Sequence, residues 1–181
     1  MHRPRVTAVS GLAEPSTSVV APARPTVEEL FSAHANFVWR NLRRFGVRSA
    51  DLEDVTHDVF LVAHRKYPDW DGAHERAWLF AIARRCASAY RRRAHRTREI
   101  QVDEVPDLGV EGDPSTRAEL ERLDRALAML DEDKRNVLLL YETESMSMRE
   151  VAIALGCLLP TAYARLYAAR RELARAFREP R

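Results

Sequence analysis

Apolar residues in this chain recur at intervals of three and four. Leu52, Val55, Val59 and Val62 follow that spacing, with Ala63 beside the last, and Leu120, Leu123, Leu127 and Leu130 repeat it. Such a period places one stripe along one side of an α-helix, whereas a half-buried strand needs alternation. No alternating run occurs in the 181 residues, so the expected fold is all-α. An apolar content of 46% is ample for folded helical modules, and the length suits one large domain or two small ones.

Punctuation along the chain sets the expected elements. Thr26 followed by Glu29 is a capping-box pattern that opens a helix over about 27–45, with Leu30, His34, Phe37, Val38, Leu42 and Phe45 on its stripe and Gly46 as its stop. A second helix is expected over about 49–67, ended by Pro68. After the polar loop Asp69 to Glu75 a third covers about 75–97, burying Leu79, Ile82, Ala83, Cys86 and Tyr90. Residues 99–114 then carry Glu99, Asp103, Glu104, Asp107, Glu111 and Asp113 with Pro106, Gly109, Gly112 and Pro114, but no basic side chain. That composition is expected of a flexible linker. Residues 1–25, with four prolines, are expected to be a disordered arm. The expected architecture is two small helical domains, 26–98 and 116–178, joined by a flexible acidic linker over 99–115.

The net charge of +2 constrains little, because opposite charges sit in separate blocks. Asp51, Glu53, Asp54 and Asp58 make an acidic face on the second helix, within a segment running to Phe60. Arg84, Arg85, Arg91, Arg92, Arg93, Arg96 and Arg98 follow with no carboxylate among them. Of the 29 basic residues only Lys66 and Lys134 are lysine, a bias that can reflect base composition, so arginine placement counts for more than arginine number. The first block suits a basic protein surface and the second suits phosphate.

A helix-turn-helix closes the chain. Ser147-Met148-Arg149-Glu150 is a second capping box and opens a short helix from Met148 to Leu155. Ala152 supplies a small residue where two helices touch, and Gly156 supplies the turn. Pro160 and Thr161 start a helix to about Phe177, with Leu166, Ala169 and Leu173 inward and Tyr163, Arg165, Tyr167, Arg170 and Arg171 outward. An arginine-bearing helix of this kind can enter a major groove and read guanine edges bidentately.

These stretches, together with Trp78-Leu79-Phe80-Ala81-Ile82-Ala83-Arg84-Arg85, resemble the extracytoplasmic-function group of sigma factors in the sigma-70 family. The resemblance spans residues 26–98 and 116–177. It implies a subunit that binds core RNA polymerase and directs promoter-specific initiation by recognising −10 and −35 elements. Asp51, Glu53, Asp54, Asp58 and Phe60 would meet the β′ coiled coil. Residues 68–98 would melt and capture the −10 element, with Trp70, Trp78 and Phe80 near a base pocket and Arg84, Arg85, Arg91 and Arg92 on phosphates. Thr161, Tyr163, Ala164, Arg165 and Tyr167 would touch the −35 element, and Arg170 and Arg171 its phosphates. The linker carboxylates would mimic nucleic acid inside the polymerase. Members of the group are commonly held by an anti-sigma factor. Ala89 stands where many members have an Asp, and Tyr163 and Ala168 stand where basic residues are common, which makes the recognition helix less cationic.

Other chemistry is set aside. His57 and His64 lie seven apart on a helix, roughly 10 Å by helical rise, too far to share an ion without outside ligands. No metal, cofactor or small-molecule substrate is expected, and the protein is expected not to be an enzyme. Cys86 and Cys157 form no paired motif, and no apolar run reaches the roughly 20 residues a bilayer requires. A cytoplasmic location is expected. Two other readings stay open at this point. A stand-alone helix-turn-helix regulator would bind DNA without polymerase but leaves the acidic helix unexplained. A sigma antagonist would bind protein and no DNA.

Overall fold

The computed structural model describes residues 24–97 and 114–178, and the expected arm and linker lie almost wholly outside them. The elements among the described residues are all helical. Helices α1 (Val27–Arg44), α2 (Leu52–Lys66) and α3 (Glu75–Thr97) form one unit; α4 (Pro114–Met129), α5 (Glu132–Glu142), α6 (Met148–Leu155) and α7 (Leu159–Arg178) form a second. Short 3-10 turns at Ser49–Asp51 and Tyr67–Asp69 bracket α2.

Local chemistry explains the boundaries. The Thr26 hydroxyl accepts the Glu29 amide at 3.2 Å, and the Glu29 carboxylate accepts the Thr26 amide at 2.7 Å, so both first-turn donors are satisfied. Gly46 ends α1 at φ +81°, where a β-carbon would be strained. The first unit closes around Leu30, Val38, Leu42, Leu52, Val59, Leu79 and Ile82, all essentially buried. Phe80 lies at its centre, edge-on to Phe45 with ring centroids 5.4 Å apart.

In the second unit α5 and α6 pack on α7. The expected stripe on α4 holds only at its C-terminal end. Leu130 is buried and Leu127 partly so, whereas Leu123 is exposed. The reason is position: α4 lies along α7, and only its last turn reaches the core. α3 also packs on α6, and the buried side chains of the two units form one connected cluster.

The helix-turn-helix is built as its sequence requires. Ser147 and Glu150 complete their reciprocal cap, and the Ser147 hydroxyl holds the Glu150 carboxyl below the ordinary glutamate range. A depressed native value means the cap contributes above the ordinary glutamate range and fades as pH falls through the lowered value. Gly156 takes φ +64°, and the amide of Cys157 reaches back to the Ala152 carbonyl at 3.0 Å. Replacing Ser147 with alanine is expected to cost about 1 kcal/mol of stability. A denaturant midpoint unchanged from wild type would show that the cap contributes nothing.

Candidate nucleic-acid interface

The acidic face of α2 is open. Glu53, Asp54 and Asp58 are exposed, and Asp51 is half-buried. Asp51 accepts the Tyr90 hydroxyl at 2.5 Å and lies 2.6 Å from the Arg48 guanidinium. Arg93 stands 3.9 Å from Asp58. Arg48, Asp51, Asp54, Asp58, Tyr90 and Arg93 thus edge one shallow groove between α2 and α3. Phe60 differs from its expected placement. It is buried beneath Phe31, with ring centroids 4.9 Å apart and the planes at 68°. The apolar atoms that do reach the surface belong to Phe31 and to Leu61, each 46% exposed. Leu61 follows Asp54 by seven residues and so shares its side of the helix.

The aromatic residues after α2 are also committed to packing. Trp70 is buried and stacks on the half-buried Trp78 at 4.6 Å with the planes 10° apart. Its indole nitrogen donates to the Ala73 carbonyl at 2.9 Å, which fastens the loop between α2 and α3. The Arg24 guanidinium lies over the Tyr67 ring at 4.3 Å and 5.5 Å from the Trp70 ring. Phe80 is fully enclosed. These rings therefore shape the loop from beneath, with Trp78 packed on Trp70 as a core residue.

The arginines of α3 fall into two sets. Arg85, Arg91 and Arg92 are exposed. Arg91 donates to the Phe45 carbonyl and Arg92 to the Ser88 hydroxyl. Arg84 instead crosses to the second unit, with Nε 3.1 Å from Glu132 and Nη2 3.2 Å from Asp133.

On α7, Thr161, Tyr163, Ala164 and Tyr167 are exposed, and the two tyrosine rings lie 6.4 Å apart. Arg165 is half-buried, its guanidinium 2.7 Å from Asp133. Arg170 pairs with Glu142 at 2.5 Å and covers the Tyr141 ring at 5.6 Å. Arg171 is exposed. Among the described residues no group of three or more His, Cys, Asp or Glu could hold a metal ion, and no single helix is long and apolar enough to cross a membrane.

The carboxylates that meet these arginines were not anticipated from sequence. Glu144, in the turn before α6, is buried with its side chain only 2% exposed. Arg40 reaches its Oε2 at 2.6 Å, Arg44 its Oε1 at 2.7 Å, and Arg76 its Oε2 at 3.4 Å. Arg76 also donates to the Glu144 backbone carbonyl at 2.5 Å. Burial raises the Glu144 carboxyl, but hydrogen bonds from Arg40 and Arg44 outweigh it and hold the group below the ordinary range.

An exposed acidic helix in one unit and an exposed helix-turn-helix in the other match known proteins in the same order. Residues 30–97 match Sigma-70 region 2, and residues 120–173 match Sigma-70 region 4. The chain belongs to the sigma-70 family. It is 30% identical over 158 residues to the RNA polymerase sigma factor CnrH of Cupriavidus metallidurans, covering 80% of this chain and 83% of the relative. Against the ECF RNA polymerase sigma factor SigE of Mycolicibacterium smegmatis it is 27% identical, covering 83% of this chain and 61% of that one. The solved structure of CnrH in complex with the cytosolic domain of CnrY superposes with a TM-score of 0.60 at 28% identity, over 83% of this chain and 86% of CnrH. The chain is thus an extracytoplasmic-function sigma factor, a promoter-specific initiation factor of transcription, all-α as its sequence predicts.

Proposed function

We propose that α1–α3 docks on core RNA polymerase and holds the −10 element, while α4–α7 reads the −35 element. The observation that carries this division is the separation of charge. The open carboxylates of α2 belong to one unit, and the exposed face of residues 161–171 belongs to the other.

Glu53, Asp54 and Asp58 make charge-assisted contacts with the basic β′ coiled coil. Phe31 and Leu61 add the apolar contact, with Phe60 bracing Phe31 from below. The loop fastened by Trp70 and Trp78 receives an unstacked base of the −10 element, and Arg84, Arg85, Arg91 and Arg92 hold the strand through phosphates, which position without specifying. In the second unit the start of α7 enters the major groove. Thr161, Tyr163, Ala164, Arg165 and Tyr167 face base edges, and Arg170 and Arg171 face phosphates. The protein carries no catalysis of its own, acts in the cytoplasm with the polymerase, and is restrained by an anti-sigma factor. The complex of CnrH with the cytosolic domain of CnrY supports a protein partner of that kind.

Mixing the chain with core polymerase and a randomised promoter library tests this assignment. A stoichiometric complex that selects two spaced motifs is expected. Selection of DNA by the chain alone, with no polymerase bound, would point to a stand-alone regulator instead. Within that complex, Arg165→Ala is expected to weaken −35 recognition by about 1–3 kcal/mol and to relax preference at one base position. An unchanged preference would remove Arg165 from the reading set.

A further inference from the structure

The loop between α2 and α3 is held by the chain ahead of α1 as well as from beneath. Arg24 lies just before the Thr26 cap, and its guanidinium donates to the Tyr67 carbonyl while covering the Tyr67 ring at 4.3 Å. The Tyr67 hydroxyl in turn donates to the Pro25 carbonyl at 3.1 Å. The stem of the same arginine fills the space beside Gly72: a β-carbon built there would lie 2.5 Å from Arg24 Cγ and 3.1 Å from Cδ. Arg24 therefore touches the connection where it leaves α2 and again at its turn, with the Trp70 ring between them at 5.5 Å. Local chemistry prepares this reach. A residue that precedes proline is pushed out of the helical region, so Pro25 favours an extended Arg24. The cap formed by Thr26 and Glu29 fixes the direction in which the chain enters α1.

The contact is a committed one. Arg24 Nε is buried with no hydrogen-bond partner among the described residues, a desolvation cost that the ring contact and the bond to Tyr67 must outweigh. A loosely placed arginine would turn that nitrogen to water. The outer edge of the loop stays open: Asp71, Ala73 and His74 are exposed, and the Asp71 carboxylate accepts the Ala73 amide at 2.9 Å. From this we infer that Arg24 is a positioning residue for base capture, fixing residues 69–74 in the shape that receives the unstacked −10 base without itself meeting DNA. This rests on the assignment of that loop to the −10 base. A binding site that is ordered before its ligand arrives spends less of the contact energy on ordering, and discriminates on the contacts themselves. Without Arg24 the loop samples other shapes, so discrimination falls while the phosphate grip of α3, which positions and does not specify, remains.

The test uses full-length wild type, Arg24→Ala, Arg24→Lys and Asp71→Ala, each bound to core polymerase. The probe is a fork-junction DNA whose single strand carries the −10 motif found by promoter selection, with each base in turn replaced by an abasic site. Wild type is expected to lose the most affinity at one position, that of the captured base. Arg24→Ala and Arg24→Lys are each expected to shrink that loss by about tenfold, the scale of a cation–ring contact with a hydrogen bond, and to bind the DNA abasic at that position as wild type does. Affinity for core polymerase and thermal unfolding should stay near wild type in both. A wild-type loss preserved in Arg24→Ala overturns the inference. So does full recovery by Arg24→Lys, which would reveal a bare charge on phosphate in place of a planar group on a ring. A uniform loss across all probes with a lowered melting temperature marks a merely structural role and overturns it too. Asp71→Ala, which alters the loop itself, separates the two levels of failure. If it flattens the captured position while Arg24→Ala does not, the loop still takes the base and only the role of Arg24 falls; if neither changes that position, the assignment of the loop falls as well.

Discussion

Asp54→Arg is expected to lower affinity for core RNA polymerase by about 100-fold or more while leaving the helical fold intact. Asp54 is exposed midway along the acidic face of α2, between Glu53 and Asp58. Reversing its charge removes one attraction to a basic coiled coil and adds a repulsion. Like charges brought together at an interface cost several kcal/mol, and each 1.4 kcal/mol is a factor of ten. An exposed position carries no cavity or desolvation penalty, so the melting temperature should stay near that of wild type. Titration of labelled polymerase, with circular dichroism alongside, reads both quantities. Retained capture by a folded variant would move the polymerase interface away from α2.

Phe80→Ala is expected to have the opposite signature. The side chain is 1% exposed and its ring meets Phe45 edge-on at the middle of α1–α3. Truncating a buried phenylalanine costs about 3–5 kcal/mol, from lost burial and from the cavity left behind. Typical domains hold only about 5–15 kcal/mol in total, so the first unit should be partly unfolded at physiological temperature. Polymerase capture should fall in step with helicity, whereas Asp54→Arg separates the two. Thermal unfolding is the measurement. A variant that melts within a degree or two of wild type would mean that Phe80 does not anchor the core.

Local signals were readable in the sequence because their causes are local. Both capping boxes link residues three apart, and the stops at Gly46 and Gly156 follow from backbone sterics at single residues. The apolar stripe of α2 is buried at Leu52, Val55, Val59 and Ala63 for the same reason. Features set by long-range packing were not readable. A 3-4-3 leucine spacing on α4 promises a buried stripe, but how much is enclosed depends on how far α7 extends alongside it. Phe60 and Trp70 have residue types suited to partner contact, and only the positions of Phe31 and Trp78 decide that both face inward. The Glu144 cluster was invisible for a plainer reason: Arg40, Arg44 and Arg76 precede it by 104, 100 and 68 residues. No periodicity connects such distances.

The most direct measurement is run-off transcription in which purified chain is added to core polymerase on a genomic promoter library and transcript 5′ ends are mapped. A sigma factor yields new start sites preceded by two shared motifs at fixed spacing, absent when either protein is omitted. If core polymerase binds the chain yet initiates nowhere that it does not initiate alone, the chain does not select promoters and the central claim fails.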